Sequence, residues 1–197
     1  MPKGDGQPFV VGSSGVEYAL IAHWGYQKPA PPTLPGVDRL VVLSGSCSPG
    51  TARQIDYAGA HGFGLVPIAA DDDAAARAAL QVLSNGSRGV VIHTPRERNE
   101  RFGPHERQRL SERGGRILDR VLNESGVRRA VIAGGDTSSH AGPQLGIDAL
   151  TFVAHLAPGA PLCKAWSRSP HRQGLEIAFK GGQCGEDDFF EVVRGTN

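Results

Sequence analysis

The feature that most restricts what this chain can fold into is a recurring pattern: a short run of apolar residues that ends on glycine and hydroxyl residues and passes at once into a helix-forming segment. Its fullest instance is Arg128 to His140 (RRAVIAGGDTSSH). Val131, Ile132 and Ala133 suit a strand covered on both faces, as in a parallel sheet. Gly134 and Gly135 let backbone N–H groups approach a ligand with no Cβ in the way. The hydroxyls of Thr137, Ser138 and Ser139 suit the cap of a helix whose free amides would face the same ligand. Leu40 to Ser48 (LVVLSGSCS) repeats the arrangement. Two such turns in one chain point to a nucleotide held between strand ends.

The other segments alternate in the same sense. Phe9 to Gly12 reads as a short strand, and Ser13-Ser14 as the cap of a helix reaching about Gln27, with Val16, Ala19, Leu20 and Trp24 on one face. Lys28 to Val37 carries four prolines and reads as an extended connection. Strands are expected over Arg39–Ser44, Gly64–Ala69 and Arg88–Thr94, with Pro67 pushing the second towards a sheet edge or a strand end. Helices are expected over Pro49–Gly62, with Pro at its first turn and Gly at its end, over Asp71–Ser84, whose Asp triplet sits at the positive end of the dipole, and over Glu106–Ser125. Pro95 to His105 reads as a charged loop. After Leu145 the pattern changes. Ala149–Leu156, Pro161–Trp166 and Leu175–Lys180 are strand-like runs joined by turn residues, and Glu186–Arg194 closes as a short helix. The expected fold is α/β, an open, mostly parallel sheet flanked by helices with a strand-rich C-terminal extension, in a single domain spanning residues 1–197.

Composition narrows the partners. The chain has 21 basic and 20 acidic residues for a net charge of +1, so no nucleic-acid footprint is expected and any anion is bound locally. Cys47, Cys163 and Cys184 lie far apart without a CxxC pair, which fits a reduced, cytoplasmic protein better than a disulfide framework or a zinc site. No apolar run is long enough for a membrane span and the N-terminus lacks a signal pattern. A GxxxxGK[ST] loop is absent, and no GxGxxG follows a strand.

Each candidate motif has a ligand role and a plainer one. Glycine amides at Gly134 and Gly135 and the Thr137 hydroxyl can hold phosphate oxygens while Asp136 orients Mg2+ or a ribose hydroxyl; the same residues also make a tight strand-to-helix turn. Ser44, Gly45, Ser46 and Ser48 can donate to phosphate or cap the helix at Pro49. Lys180 with Gly181 and Gly182 is either a phosphate counter-charge with open backbone or a β-turn after an edge strand. Arg96, Arg98 and Arg101 could reach a phosphate or an acidic substrate, but a loop with Glu97 and Glu100 interleaved is more often a solvated surface. A nucleophile at Ser46 or Cys47 needs a base in contact, and spacing supplies none. His23, His61, His155 and His171 show no metal-ligand spacing.

Three motifs in order, VVLSGSCSPGTARQ (Val41 to Gln54), AGGDTSSHAGPQLG (Ala133 to Gly146) and FKGGQCGEDDFF (Phe179 to Phe190), resemble the nucleotide-binding C-terminal domain of the four-carbon acid sugar kinases. VGSSGVEYAL (Val11 to Leu20) and LAPGAPLCKAW (Leu156 to Trp166) match as well. The resemblance implies ATP-dependent phosphorylation of acid sugars such as threonate or erythronate, with Mg2+. ATP contacts would fall on Ser44, Gly45 and Ser46, on Gly134, Gly135, Asp136 and Thr137, and on Lys180, Gly181 and Gly182. Asp136 would position the metal or nucleotide in catalysis. The last motif departs from the family's usual Lys-Ser-Gly-x-Phe-Gly, losing a hydroxyl and an aromatic at Gly181 and Cys184. Family members also carry an N-terminal domain that supplies most of the acid-sugar site, so this chain is expected to work as part of a larger enzyme or with a partner chain. The contrasting expectation is a non-catalytic nucleotide-binding module. Homo-oligomerisation is compatible with either.

Overall fold

The computed structural model describes residues 10–12, 14–27, 34–68, 71–95 and 103–195. The chain divides into two compact units, Met1–Pro31 and Pro32–Asn197. In the first, α1 spans Ser14–His23, ending one residue before Trp24. Val10 to Gly12 form no strand; Phe9 and Ser13 lie outside the described residues.

The second unit alternates as the apolar runs dictate: β1 (Leu40–Ser44), α2 (Pro49–Ala60), β2 (Phe63–Pro67), α3 (Asp72–Ser84), β3 (Gly89–His93), α4 (Pro104–Ser125), β4 (Arg129–Ala133), α5 (Gly135–Ala141), β5 (Ala149–Ala157), β6 (Ala160–Trp166), β7 (Glu176–Lys180) and α6 (Phe189–Arg194). The helix starts and stops follow from local chemistry. Asp71 caps α3 by accepting from the Asp73 amide, and α4 ends on left-handed Gly126.

The strands form one seven-stranded sheet in the order β2-β3-β1-β4-β7-β6-β5. β2, β3, β1, β4 and β7 run parallel, and β6 and β5 close the sheet antiparallel. Pro67 ends the edge strand β2, where its missing N–H costs no ladder bond. The strand-rich extension needs one refinement: only β5 and β6 extend the sheet, whereas β7 inserts beside β4 as part of the parallel core. Its Ile177 and Ala178 are fully buried, one on each face, as a central parallel strand requires.

Alternate residues of the parallel strands feed two cores. Val41, Leu43, Val90, Ile92 and Ile132 pack under α3 and α4, while Val42, Val91, Val131 and Ala178 pack with Ile55 of α2 and Phe189 of α6. α4 comes close to both sheet and α5 because Gly114 and Gly115 lie there: a Cβ on Gly115 would sit 2.7 Å from the Ala141 carbonyl oxygen. Buried Arg129 ties the two ends of the second unit together, donating to the Pro35, Val193 and Arg194 carbonyls and to Glu176. Among the described residues no helix is long and apolar enough to cross a membrane.

Candidate functional site

Parallel order brings the carboxyl ends of β1, β4 and β7 side by side, and Ser44, Ala133 and Lys180 stand in register across them. By strand alternation their side chains share the face that packs against α2. The turns that follow are the three glycine motifs, and they meet. The Gly45 amide donates to the Ala133 carbonyl at 3.1 Å, and the Gly134 amide to the Lys180 carbonyl at 2.9 Å.

Two of the glycines are required by the protein's own packing. A Cβ on Gly45 would fall 2.1 Å from Thr137 Oγ1, and one on Gly182 would fall 2.5 Å from Ser46 Oγ. Gly134 adds a conformational demand, with φ +119°, open to glycine but strained for other residues. Gly135 differs from all three. A Cβ there meets nothing within 4 Å, so the space over the start of α5 is open.

The hydroxyls do not act as helix caps. Gly134 takes the cap position of α5 without a side-chain bond, and Ser138 and Ser139 lie within the helix, donating back to the Gly134 and Gly135 carbonyls. Thr137 is buried and faces Gly45 and Gly134. Ser48 precedes α2 without capping it; its amide donates to Ser46 Oγ at 3.2 Å.

Lys180 is 2% exposed. Its Nζ donates to Thr51 Oγ1 at 3.1 Å, and Thr51 donates in turn to the Gly182 carbonyl at 2.6 Å. The ammonium also lies 5.6 Å from the centre of the Phe189 ring. Burial pulls its pKa down to about 8, partly offset by the nearby Cys184 sulfur. Lys180 therefore forms the charged floor beneath the third loop. Beside it, Ser44 Oγ is buried with no hydrogen-bond partner among the described residues.

Two residues of this site were not expected. Thr51 and Gln54 lie on the inward face of α2 with Ile55 and Ala58. Gln54 Nε2 donates to three successive carbonyls, Cys184, Gly185 and Glu186, each at 3.0 Å. The signal available in the sequence is their spacing: two polar residues fall where the helical period calls for apolar ones.

Ser44, Gly45, Ser46, Gly134, Thr137, Lys180, Gly181 and Gly182 thus converge, while Gly135 and Asp136 form an exposed lip. Asp136 also borders a hollow of about 260 Å3 with His105, Gln108 and His140. Cys47 is exposed, its Sγ 3.9 Å from the Pro95 carbonyl oxygen, and no His, Cys, Asp or Glu cluster among the described residues suits a metal ion. Arg96, Arg98 and Arg101 lie outside the described residues.

Residues 41–190 match the family model described as the nucleotide-binding C-terminal domain. Among curated proteins, the chain is 41% identical to the 3-oxo-isoapionate kinase of Paraburkholderia graminis, over 94% of this chain and 46% of that protein. It is 32% identical to the 3-oxo-tetronate kinase of Pseudomonas fluorescens, over 79% of this chain and 37% of that one. The chain spans less than half the length of either relative. Among solved structures, a Salmonella typhimurium LT2 protein aligns with a TM-score of 0.69 at 28% identity, covering 91% of this chain and 45% of that one. A Bordetella bronchiseptica protein, crystallised with citrate as a domain-swapped dimer, shares the fold with a TM-score of 0.68 at 18% identity, over 81% and 41% of the two chains.

Proposed function

The chain belongs to the family of nucleotide-binding C-terminal domains, and on that premise we propose that it is the ATP-binding half of a kinase that phosphorylates four-carbon acid sugars of the threonate or erythronate type. One observation carries the reading: three glycine turns converge at the carboxyl ends of β1, β4 and β7 over a buried lysine, the place where open α/β sheets hold ligands.

Phosphates lie over Gly134 to Thr137, where the first amides of α5 have no partner within the helix. Ser46 borders the same space, and Lys180 supplies positive charge from below. Asp136 at the lip would be the residue of this chain that holds Mg2+, its one exposed carboxylate matching a metal that commonly takes only one or two from the protein. When bound, it neutralises charge on the transferring phosphate. The residues of this chain position the donor; phosphoryl transfer also requires the acceptor in line, and the other part of a full-length kinase supplies most of that site. The 3-oxo acids in the relatives' names are the first acceptors to try.

Calorimetric titration with Mg·ATP tests the reading. Binding is expected, with loss on Gly135→Val, a substitution whose Cβ enters open space and whose methyl groups reach into the region assigned to phosphate. An unchanged melting temperature separates that loss from misfolding. Absence of ATP binding by the wild-type chain, or full binding by Gly135→Val, would overturn the phosphate placement. Phosphorylation of an acid sugar by this chain alone would show that no second half is needed.

A further inference from the structure

A second concavity opens beside the phosphate loops. β6 runs antiparallel to β7, so the Pro158–Gly159 turn that joins β5 to β6 stands at the same end of the sheet as Lys180. That turn touches the third glycine loop: a Cβ on Gly159 would lie 3.6 Å from Cys184 Sγ. Between the turn and α6 lies a cleft of about 550 Å3. Leu156 and Pro158 form one wall, Phe189 and Val192 the other, and Glu186 and Asp188 border it. Val192 is 43% exposed although apolar, and Gln183 to Gly185, one step beyond Gly182, line the end nearest the cradle.

The charges of the two concavities are opposite. The cradle has Lys180 beneath it. The cleft carries two carboxylates, which repel phosphate but accept hydrogen bonds from hydroxyl and amino groups. Apolar walls with a few polar groups are what a flat heteroaromatic ring needs. The Gln183–Gly185 segment joining the two regions is held in place by Gln54, which binds its carbonyls from the α2 side.

We infer that this cleft holds the nucleoside end of the nucleotide, with the purine base between the Leu156–Pro158 and Phe189–Val192 walls and the ribose hydroxyls and the base's amino group on Glu186 and Asp188. The inference rests on the phosphate placement above. It fixes the direction of the bound nucleotide, from the start of α5 across Gly182 towards α6.

Calorimetry on the full chain with Mg·ATP and with Mg·tripolyphosphate tests it, because the second probe has phosphates and no nucleoside. Val192→Trp fills the cleft from an exposed position and is expected to weaken ATP about tenfold while leaving tripolyphosphate unchanged. Glu186→Gln, a surface change that leaves packing intact, is expected to weaken ATP about threefold without affecting tripolyphosphate. ATP affinity insensitive to both variants, or equal losses for both probes, would overturn the cleft assignment and leave the phosphate cradle standing. If the wild-type chain binds neither probe, the cradle falls and the cleft assignment with it.

Discussion

The turns after β1 and β4 and the loop after β7 reach the same place by different means. The first two are fixed by backbone and steric fit: amides at Gly45 and Gly134 bond to the neighbouring strand ends, and Thr137 fills the space that a Cβ at Gly45 would need. The third is fixed by remote side chains, with Thr51 and Gln54 of α2 and Lys180 binding one another or the carbonyls of residues 182–186. A loop that leads at once into a helix inherits the helix's order. The β7 loop reaches α6 only at Phe189 and needs support from outside.

The largest effects should come from the first kind of turn. Gly134→Ala places a side chain at φ +119° and 2.9 Å from Thr137 Oγ1, so about 2–4 kcal/mol of stability is expected to be lost in denaturant unfolding. Gly45→Ala should cost about 1–3 kcal/mol through its clash with Thr137, and Thr137→Ala in the same chain should recover part of it. Without that recovery, the fit between the two turns is not what demands glycine. For the β7 loop, Gln54→Leu leaves three carbonyls without their donor, for an expected loss of about 1–3 kcal/mol. Hydrogen exchange should then quicken in residues 181–186 and hold steady in residues 134–137. Equal change in both would erase the distinction between the two kinds of turn.

This difference also explains what the sequence made legible. The turns after β1 and β4 are written locally, as an apolar run, glycine, hydroxyls and a helix, and strand and helix boundaries followed within a few residues. Gln54 and Thr51 act on partners about 130 positions away, so only their unexpected polarity on an apolar helix face announced them. The place of β7 was hidden for the same reason. It comes after the β5–β6 hairpin in the chain yet enters the sheet between β4 and β6, a choice made by packing on both faces. The hydroxyls after Gly135 were misleading in detail, because Ser138 and Ser139 lie one turn too deep and bond back into the helix, while Thr137 packs against Gly45 and Gly134.

The most gradual effect is a pH dependence that belongs to the β7 loop alone. Lys180 titrates near 8 in the folded chain against about 10.5 in model peptides because its ammonium is buried. Between those values the unfolded chain binds more protons than the folded one, so stability rises with pH. The cost of holding the ammonium is fully present below pH 8 and is relieved towards 10.5, with a slope of up to about 1 kcal/mol per pH unit in mid-window. Lys180→Met should remove that slope, and the difference between the two melting curves isolates it from every other titrating group. Bound phosphate reverses the sense, since a nearby anion favours the charged lysine. ATP affinity is therefore expected to fall as pH rises through 8 in the wild-type chain and to stay flat across that range in Lys180→Met. A flat stability profile in the wild type would mean that water reaches Lys180 and that the third loop is not sealed by α2.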